Sequence, residues 1–166
     1  MKKGKQSIRS SPWKMLGRKI SVQKIIPNAS EEDLQDRFAP LGEVEYKQFT
    51  PSRIRYGGEE LLTSEYFRKT KGWGDLGKGR VFTAPDGKEY TWKLGIRVPE
   101  LVTKEERPVA VCRRGRIGVV REARPPSLEI LPDGEHMIDL IVVTFVYTEK
   151  LRTDRDDQSQ HMATET

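Results

Sequence analysis

Cysteine and histidine are nearly missing from this chain, which has one cysteine, Cys112, and two histidines, His136 and His161, among 166 residues. A lone cysteine excludes an intrachain disulfide framework and fits a reducing, intracellular compartment, the cytoplasm before the nucleus. So few soft ligands, with no CxxC or HExxH spacing, cannot assemble a zinc site without scattered carboxylates, and no metal is expected. Nucleophilic catalysis needs Cys or Ser beside a base that a third group orients. His161 lies in a polar tail and His136 at an element boundary, so neither is placed to activate Cys112. The expected place of Cys112 is a buried strand beside Arg113 and Arg114, whose charges would lower its pKa and leave it open to oxidation. The glycines at 72, 74, 77 and 79 lack the strand-to-helix context of a phosphate cradle. No catalytic residue and no cofactor is therefore expected.

Long apolar runs are absent too. Residues 138–147 form the longest, and they include Asp139 and Thr144; the run is about half of what a bilayer requires, so no transmembrane segment is expected. Acidic residues are missing from the start of the chain, where eight Lys and Arg residues, among them Lys14, Arg18, Lys19 and Lys24, precede the first acid, Glu31. With a net charge of +5 for the whole chain, the remainder is net negative, so the basic character belongs to the N-terminal arm. That arm has no apolar core for a secretory signal. Its basic, serine-containing, acid-free composition is that of a mitochondrial presequence, although Gly4, Pro12 and Gly17 interrupt any amphipathic helix. A flexible basic arm over residues 1–18 is the expectation.

Residues 19–46 read as strand, helix, strand. Ser30 before Glu31, Glu32 and Asp33 predicts a capped helix; Leu34 and Phe38 share its face, and Pro40 with Gly42 ends it. This order invites comparison with an RNA-recognition motif. The base-stacking aromatics are missing, since Ser21 stands where one belongs and residues 78–82 carry only a fragment of the second signature.

Beyond residue 44 the pattern is strands and turns. Residues 52–56 alternate and stop at Gly57-Gly58, and Trp73 and Leu76 follow in a glycine-rich loop. Residues 80–94 predict a β-hairpin turning at Pro85-Asp86-Gly87, where proline sets φ, Asp86 bonds its own backbone and Gly87 takes positive φ. Tyr90, Trp92 and Leu94 then share the core face, and Glu89, Thr91 and Lys93 the solvent face. Further strands are predicted at 109–112, 117–120 and 127–131, with a basic turn at Arg113-Arg114-Gly115-Arg116 and a second Pro-Asp-Gly turn at 132–134. Residues 136–151 divide the signals, their β-branched content favouring a strand and their length a buried helix. Asp139 within them must find donors, which suits a structural role near a helix start. After Leu151 the chain turns polar, and residues 153–166 are expected to be a disordered tail.

The runs Arg80-Val-Phe-Thr-Ala-Pro-Asp-Gly-Lys-Glu-Tyr-Thr-Trp-Lys, Pro108-Val-Ala-Val, Ser127-Leu-Glu-Ile and residues 136–152 together resemble a fungal family, the domain of unknown function numbered 6593, itself similar to the tubby C-terminal and LURP-one-like group. The resemblance covers residues 44–152. It implies a mainly β (α+β) fold, an antiparallel curved sheet or partial barrel around one apolar C-terminal helix, which decides residues 137–149 in favour of helix. Family members usually begin with several more strands. The resemblance carries over no catalytic residue.

A single β-rich domain over residues 19–152 follows as the expected organisation. Asp86, Gly87, Tyr90, Trp92, Asp139 and Phe145 are assigned to structure, and Lys14, Arg18, Lys19, Arg113, Arg114 and Arg116 to an anion-attracting surface. The expected function is a non-enzymatic binding or scaffold module for an anionic membrane surface or a protein partner; the alternative is RNA or DNA bound through the basic arm and the RNA-recognition-like element.

Overall fold

The computed structural model describes residues 18–26, 37–47, 50–70, 79–95, 98–114 and 127–164, with side chains described as far as Arg155. Two compact units divide the chain, Met1–Glu65 and Tyr66–Thr166, the division falling inside the expected 19–152 domain. Lys14, the helix start at residues 30–33, the loop at Trp73 and Leu76, Arg116 and the strand expected at 117–120 lie outside the described residues.

The first unit is an antiparallel meander of β1 (Arg18–Ile26), β2 (Arg37–Tyr46), β3 (Arg53–Tyr56) and β4 (Glu59–Leu62), in that spatial order. Period-two alternation sorts its faces. Ile20, Val44, Ile54 and Leu61 line up across the four strands, and Val22, Val44 and Ile54 are fully buried. The opposite face carries Glu43, Arg55 and Glu60 on one rung and Lys19, Glu45 and Arg53 on the next, charges alternating in sign. Such cross-strand pairs hold register at a few tenths of a kcal/mol each (about 0.2–1). The β3–β4 connection is Gly57-Gly58 with φ of 62° and 84°, the left-handed pair that a two-residue hairpin turn requires.

The helix expected to run through Leu34 and Phe38 and end at Pro40-Gly42 is not there at its C-terminal end, because residues 37–46 are strand β2. Phe38 sits opposite Ile25. The register steps from Val22 opposite Gly42 to Gln23 opposite Pro40, leaving Leu41 as the extra residue of a bulge beside the proline, which is where a strand tolerates a missing N–H. β1 and β2 are direct antiparallel neighbours, not parallel strands of a crossover, so the RNA-recognition comparison fails in its topology. Arg18, placed in the arm by the sequence reading, is the first residue of β1.

The second unit holds a six-stranded antiparallel sheet, β5 (Arg68–Lys69), β6 (Arg80–Thr83), β7 (Glu89–Lys93), β8 (Glu100–Thr103), β9 (Pro108–Arg113) and β10 (Ser127–Ile130), in the order β10-β9-β8-β7-β6-β5. It is an open sheet, not a closed barrel. The short helix α1 (Thr63–Tyr66) precedes β5, and a 3-10 helix, Pro132–Met137, leads into α2 (Ile138–Thr164).

The predicted hairpin is present. Gly87 N–H donates to the Ala84 carbonyl at 2.9 Å and Ala84 N–H to the Lys88 carbonyl at 3.0 Å, with Gly87 at φ 77°. The β8–β9 turn repeats this bonding, Glu106 N–H donating to Thr103 and Thr103 N–H to Arg107, with Glu106 in the left-handed position at φ 64°. The second Pro-Asp-Gly is no hairpin turn. Pro132 opens the 3-10 helix, as proline suits a first helical position, and Gly134 is required for space: a Cβ there would lie 2.8 Å from both Ile141 Cδ1 and Val109 Cγ1. Both neighbours are fully buried and cannot swing aside. Gly134→Ala is expected to lower stability by about 1–3 kcal/mol as an overpacking change, read as a loss of denaturant midpoint with unchanged slope.

Residues 140–148 of α2 are buried without interruption. Trp92, fully buried, donates from Nε1 to Thr144 Oγ1 at 3.0 Å and packs against Phe145. Phe67 stacks on Tyr147 and meets Phe82 edge-on. Thr144 and Thr148 satisfy their hydroxyls within the helix, Thr144 donating to the Leu140 carbonyl at 2.8 Å and Thr148 to the Phe145 carbonyl at 3.0 Å, so two polar residues enter the core without orphaned groups. The helix continues through the polar segment to Thr164, past the point where a disordered tail was expected. Asp139 is only half-buried in the first turn of α2, where a carboxylate suits the helix dipole.

Candidate functional site

The six cations assigned to an anion-attracting surface are divided between the two units of the chain. Lys14 and Arg116 lie outside the described residues, Arg18 and Lys19 belong to the first unit, and Arg113 and Arg114 to the second. Two of them are already committed to carboxylates. Lys19 Nζ lies 3.5 Å from Glu43; Arg113 bonds Glu129 through Nε at 2.9 Å and Nη2 at 2.8 Å. Neither glutamate was assigned a role by the sequence, because the pairing depends on strand register.

Cys112 is half-buried in β9. Burial pushes its thiol pKa up and Glu149 adds to that, against the smaller opposing effects of Arg152 and Arg114. The expected arginine activation is thus outweighed, and the thiolate needed for oxidation or nucleophilic attack is disfavoured.

One polar cluster went unrecognised in the sequence. Asp86 Oδ1 accepts the Lys88 N–H at 3.0 Å, while its Oδ2 accepts the Tyr90 hydroxyl at 2.8 Å and lies 3.1 Å from His136 Nε2. The hairpin turn is thereby tied to the 3-10 helix 50 positions along the chain. Burial opposes ionisation of Asp86, but the Lys88 N–H, the Tyr90 hydroxyl and His136 outweigh it and hold the carboxyl below its ordinary range. Burial, then the hydrogen bond to Asp86, pushes the Tyr90 phenol up to about 12. Each contact of the cluster ends on another member or on the backbone, which makes it a clamp on the fold.

The clamp has a testable pH signature. A phenol with a raised folded-state pKa contributes stability that is complete below its ordinary value of 10.0 and is lost as pH rises toward about 12. Asp86 acts in the opposite sense, its contribution being present above the ordinary carboxylate value of 3.8 and lost as pH falls below it. Phenolate absorbance should show Tyr90 titrating late in the intact chain; Tyr90→Phe should remove that step, and Asp86→Asn should move it down.

A further exposed surface lies on β1 and β2. β3 pairs only with residues 42–45 of β2, so the rungs from Gln23 and Pro40 to Ile26 and Arg37 form a two-stranded ribbon beyond it. Four rungs extend about 13 Å. Of the three large apolar side chains exposed among the described residues, two sit at this end, Ile26 at 46% and Phe38 at 39%. Lys24 and Arg37 stand on the rungs beside them. β1 is also a sheet edge: no described strand pairs on its outer side, and six of its nine residues are exposed.

Among the described residues no helix is long and apolar enough to cross a membrane, and no group of three or more His, Cys, Asp and Glu residues is gathered as a metal site. No curated protein and no solved structure matches the chain. A family model does, and its match extends well before the residue-44 boundary of the sequence resemblance, so that β1 and β2 are part of the family domain. Residues 7–154 match the Family of unknown function (DUF6593), and the chain belongs to that family.

Proposed function

We propose that this chain is a non-enzymatic, intracellular binding module whose partner is a protein, engaged through the β1–β2 ribbon. The observation that carries this reading is the pair of exposed side chains Ile26 and Phe38 at the end of a ribbon that no third described strand supports. Cross-strand partners share a face, so Phe38, opposite Ile25, and Ile26, opposite Arg37, stand on the two faces of the ribbon, and each displays a large apolar group of the kind that protein interfaces bury. The anionic-membrane reading has less support, because Lys19 and Arg113 are neutralised by Glu43 and Glu129, and because the sequence between β1 and β2 carries Glu31, Glu32, Asp33 and Asp36, which an anionic surface repels. The same acids count against nucleic acid. Kinship with the tubby-like group stays within the proposal, supported by a meander packed on one apolar helix.

The test is quantitative affinity purification at physiological salt with the intact chain, an Ile26→Ser/Phe38→Ser double variant and an Arg113→Glu variant, alongside co-sedimentation with anionic vesicles. Proteins recovered by the intact chain and by Arg113→Glu but lost from the double variant support the reading. Equal recovery by all three, or vesicle binding with no protein lost, overturns it.

A further inference from the structure

We propose that Ser127 is a phosphorylation site for an arginine-directed protein kinase, and that the phosphate, once attached, takes the Arg113 side chain from Glu129. Protein kinases choose their substrates by charge pattern. Ser21 and Ser127 are the serines of this chain with an arginine three residues before them, Arg18 and Arg124, and Ser127 has a further one six residues before it, Arg121. Strand register separates the two. Ser21 stands directly opposite Glu43, so a phosphate there would meet like charge across the strands, which is destabilising. Ser127 stands directly opposite Arg113. It is the exposed first residue of β10, an outer strand of its sheet, and Pro126 before it has no N–H with which to extend the ladder.

Arg113 is not a free cation, and the phosphate has to compete for it. Glu129 holds the guanidinium through Nε at 2.9 Å and Nη2 at 2.8 Å, but Glu129 is paired with Val111 and reaches the arginine diagonally. Directly opposed Cβ atoms lie about 4.5–5.5 Å apart, and diagonal neighbours about 7–8 Å. Ser127, Arg113 and Glu129 share one face of the β9–β10 pair, with both ion-paired side chains open to solvent. A phosphate on Ser127 carries about −1.5 to −2 charge at neutral pH, against the single charge of a carboxylate. It also starts from the nearer position, so the guanidinium turns to it and Glu129 is released. In the transfer, Ser127 Oγ attacks the γ-phosphorus of a nucleoside triphosphate. The new O–P bond forms as the bond from that phosphorus to the β–γ bridging oxygen breaks; the hydroxyl proton passes to the base of the kinase and the nucleoside diphosphate leaves. The site lies in the second unit and does not depend on what the β1–β2 ribbon binds.

The experiment treats the full chain, its Ser127→Ala and Arg124→Gln variants, and a capped peptide of residues 119–132 with an arginine-directed protein kinase and ATP, and locates the phosphate by mass spectrometry. The chain should take up phosphate at Ser127 at a rate within about tenfold of the peptide, and Arg124→Gln should slow that uptake about tenfold or more. Ser127→Ala should lose it. Phosphorus NMR of the phosphorylated chain then follows the second ionisation of the phosphate. Arg113 should hold it below its ordinary value of about 6, because a neighbouring cation favours the dianion, and Arg113→Gln should return it there. Equal uptake by Ser127→Ala, a rate indifferent to Arg124→Gln, or a chain modified far more slowly than the peptide overturns the site. A second ionisation that Arg113→Gln leaves unmoved overturns the exchange of partners.

Discussion

Trp92→Ala should cost about 3–5 kcal/mol, the range for truncating a buried aromatic, and in a domain with total stability of about 5–15 kcal/mol that loss removes much of the folded population at ambient temperature. Trp92 is fully buried on the core face of β7, and it joins sheet to helix twice, through the 3.0 Å bond to Thr144 and through the Phe145 ring. The two contributions separate experimentally. Thr144→Val preserves the shape and removes the acceptor, leaving the indole N–H buried and unpaired, for about 1–3 kcal/mol. Trp92→Phe keeps part of the ring contact and removes the donor. Chemical denaturation of the three variants should rank them with Trp92→Ala least stable; an effect of Trp92→Ala below about 0.5 kcal/mol, typical of surface positions, would mean that the inside and outside faces of β7 are reversed.

What could be read in advance divides by the distance over which the deciding interaction acts. The 80–94 hairpin was legible because Pro85, Asp86 and Gly87 determine their turn within four residues, and period-two alternation then fixes which way Tyr90 and Trp92 point. The second Pro-Asp-Gly has the same letters and another structure. Its glycine is demanded by Ile141, Val109 and Ile130, which the packing of strand and helix, and not the turn itself, brings against it. Local signals favoured a helix reaching Phe38, and pairing with β1 overrode them, as tertiary context routinely overrides propensity.

The binding surface was less legible than the fold. Counting cations found Lys19 and Arg113, but the residues that neutralise them, Glu43 and Glu129, are named only once register places them alongside. His136 reads as an isolated histidine until Asp86 is brought to it. Ile26 passes as a core residue because an apolar residue in a strand ordinarily is one, and Phe38 reads as part of a helix face; their exposure follows from a strand pair longer than the strand beside it.

Ile141→Pro should prevent folding altogether, whereas Thr153→Pro, in the same helix, should leave the second unit folded. In α2 the residue at 141 is fully buried and packs where Gly134 makes its closest approach. Proline there removes an intrahelical hydrogen bond and clashes with the preceding turn, at about 3 kcal/mol or more, and it also exchanges an isoleucine in a filled core for a smaller ring. Residues 140–148 are buried on every face, so a kink cannot be relieved toward solvent. Thr153 differs in each respect. It is exposed, its hydroxyl bonds only the Glu149 carbonyl of its own helix, and a bend at that point redirects a polar extension without opening the core. Circular dichroism and a denaturant titration of both variants decide the matter. The Thr153→Pro chain should lose some helix signal and keep a cooperative transition; the Ile141→Pro chain should show none. A cooperative transition in Ile141→Pro close to that of the parent would mean that the sheet of the second unit folds without its helix, and that burial of residues 140–148 is not what holds that unit together.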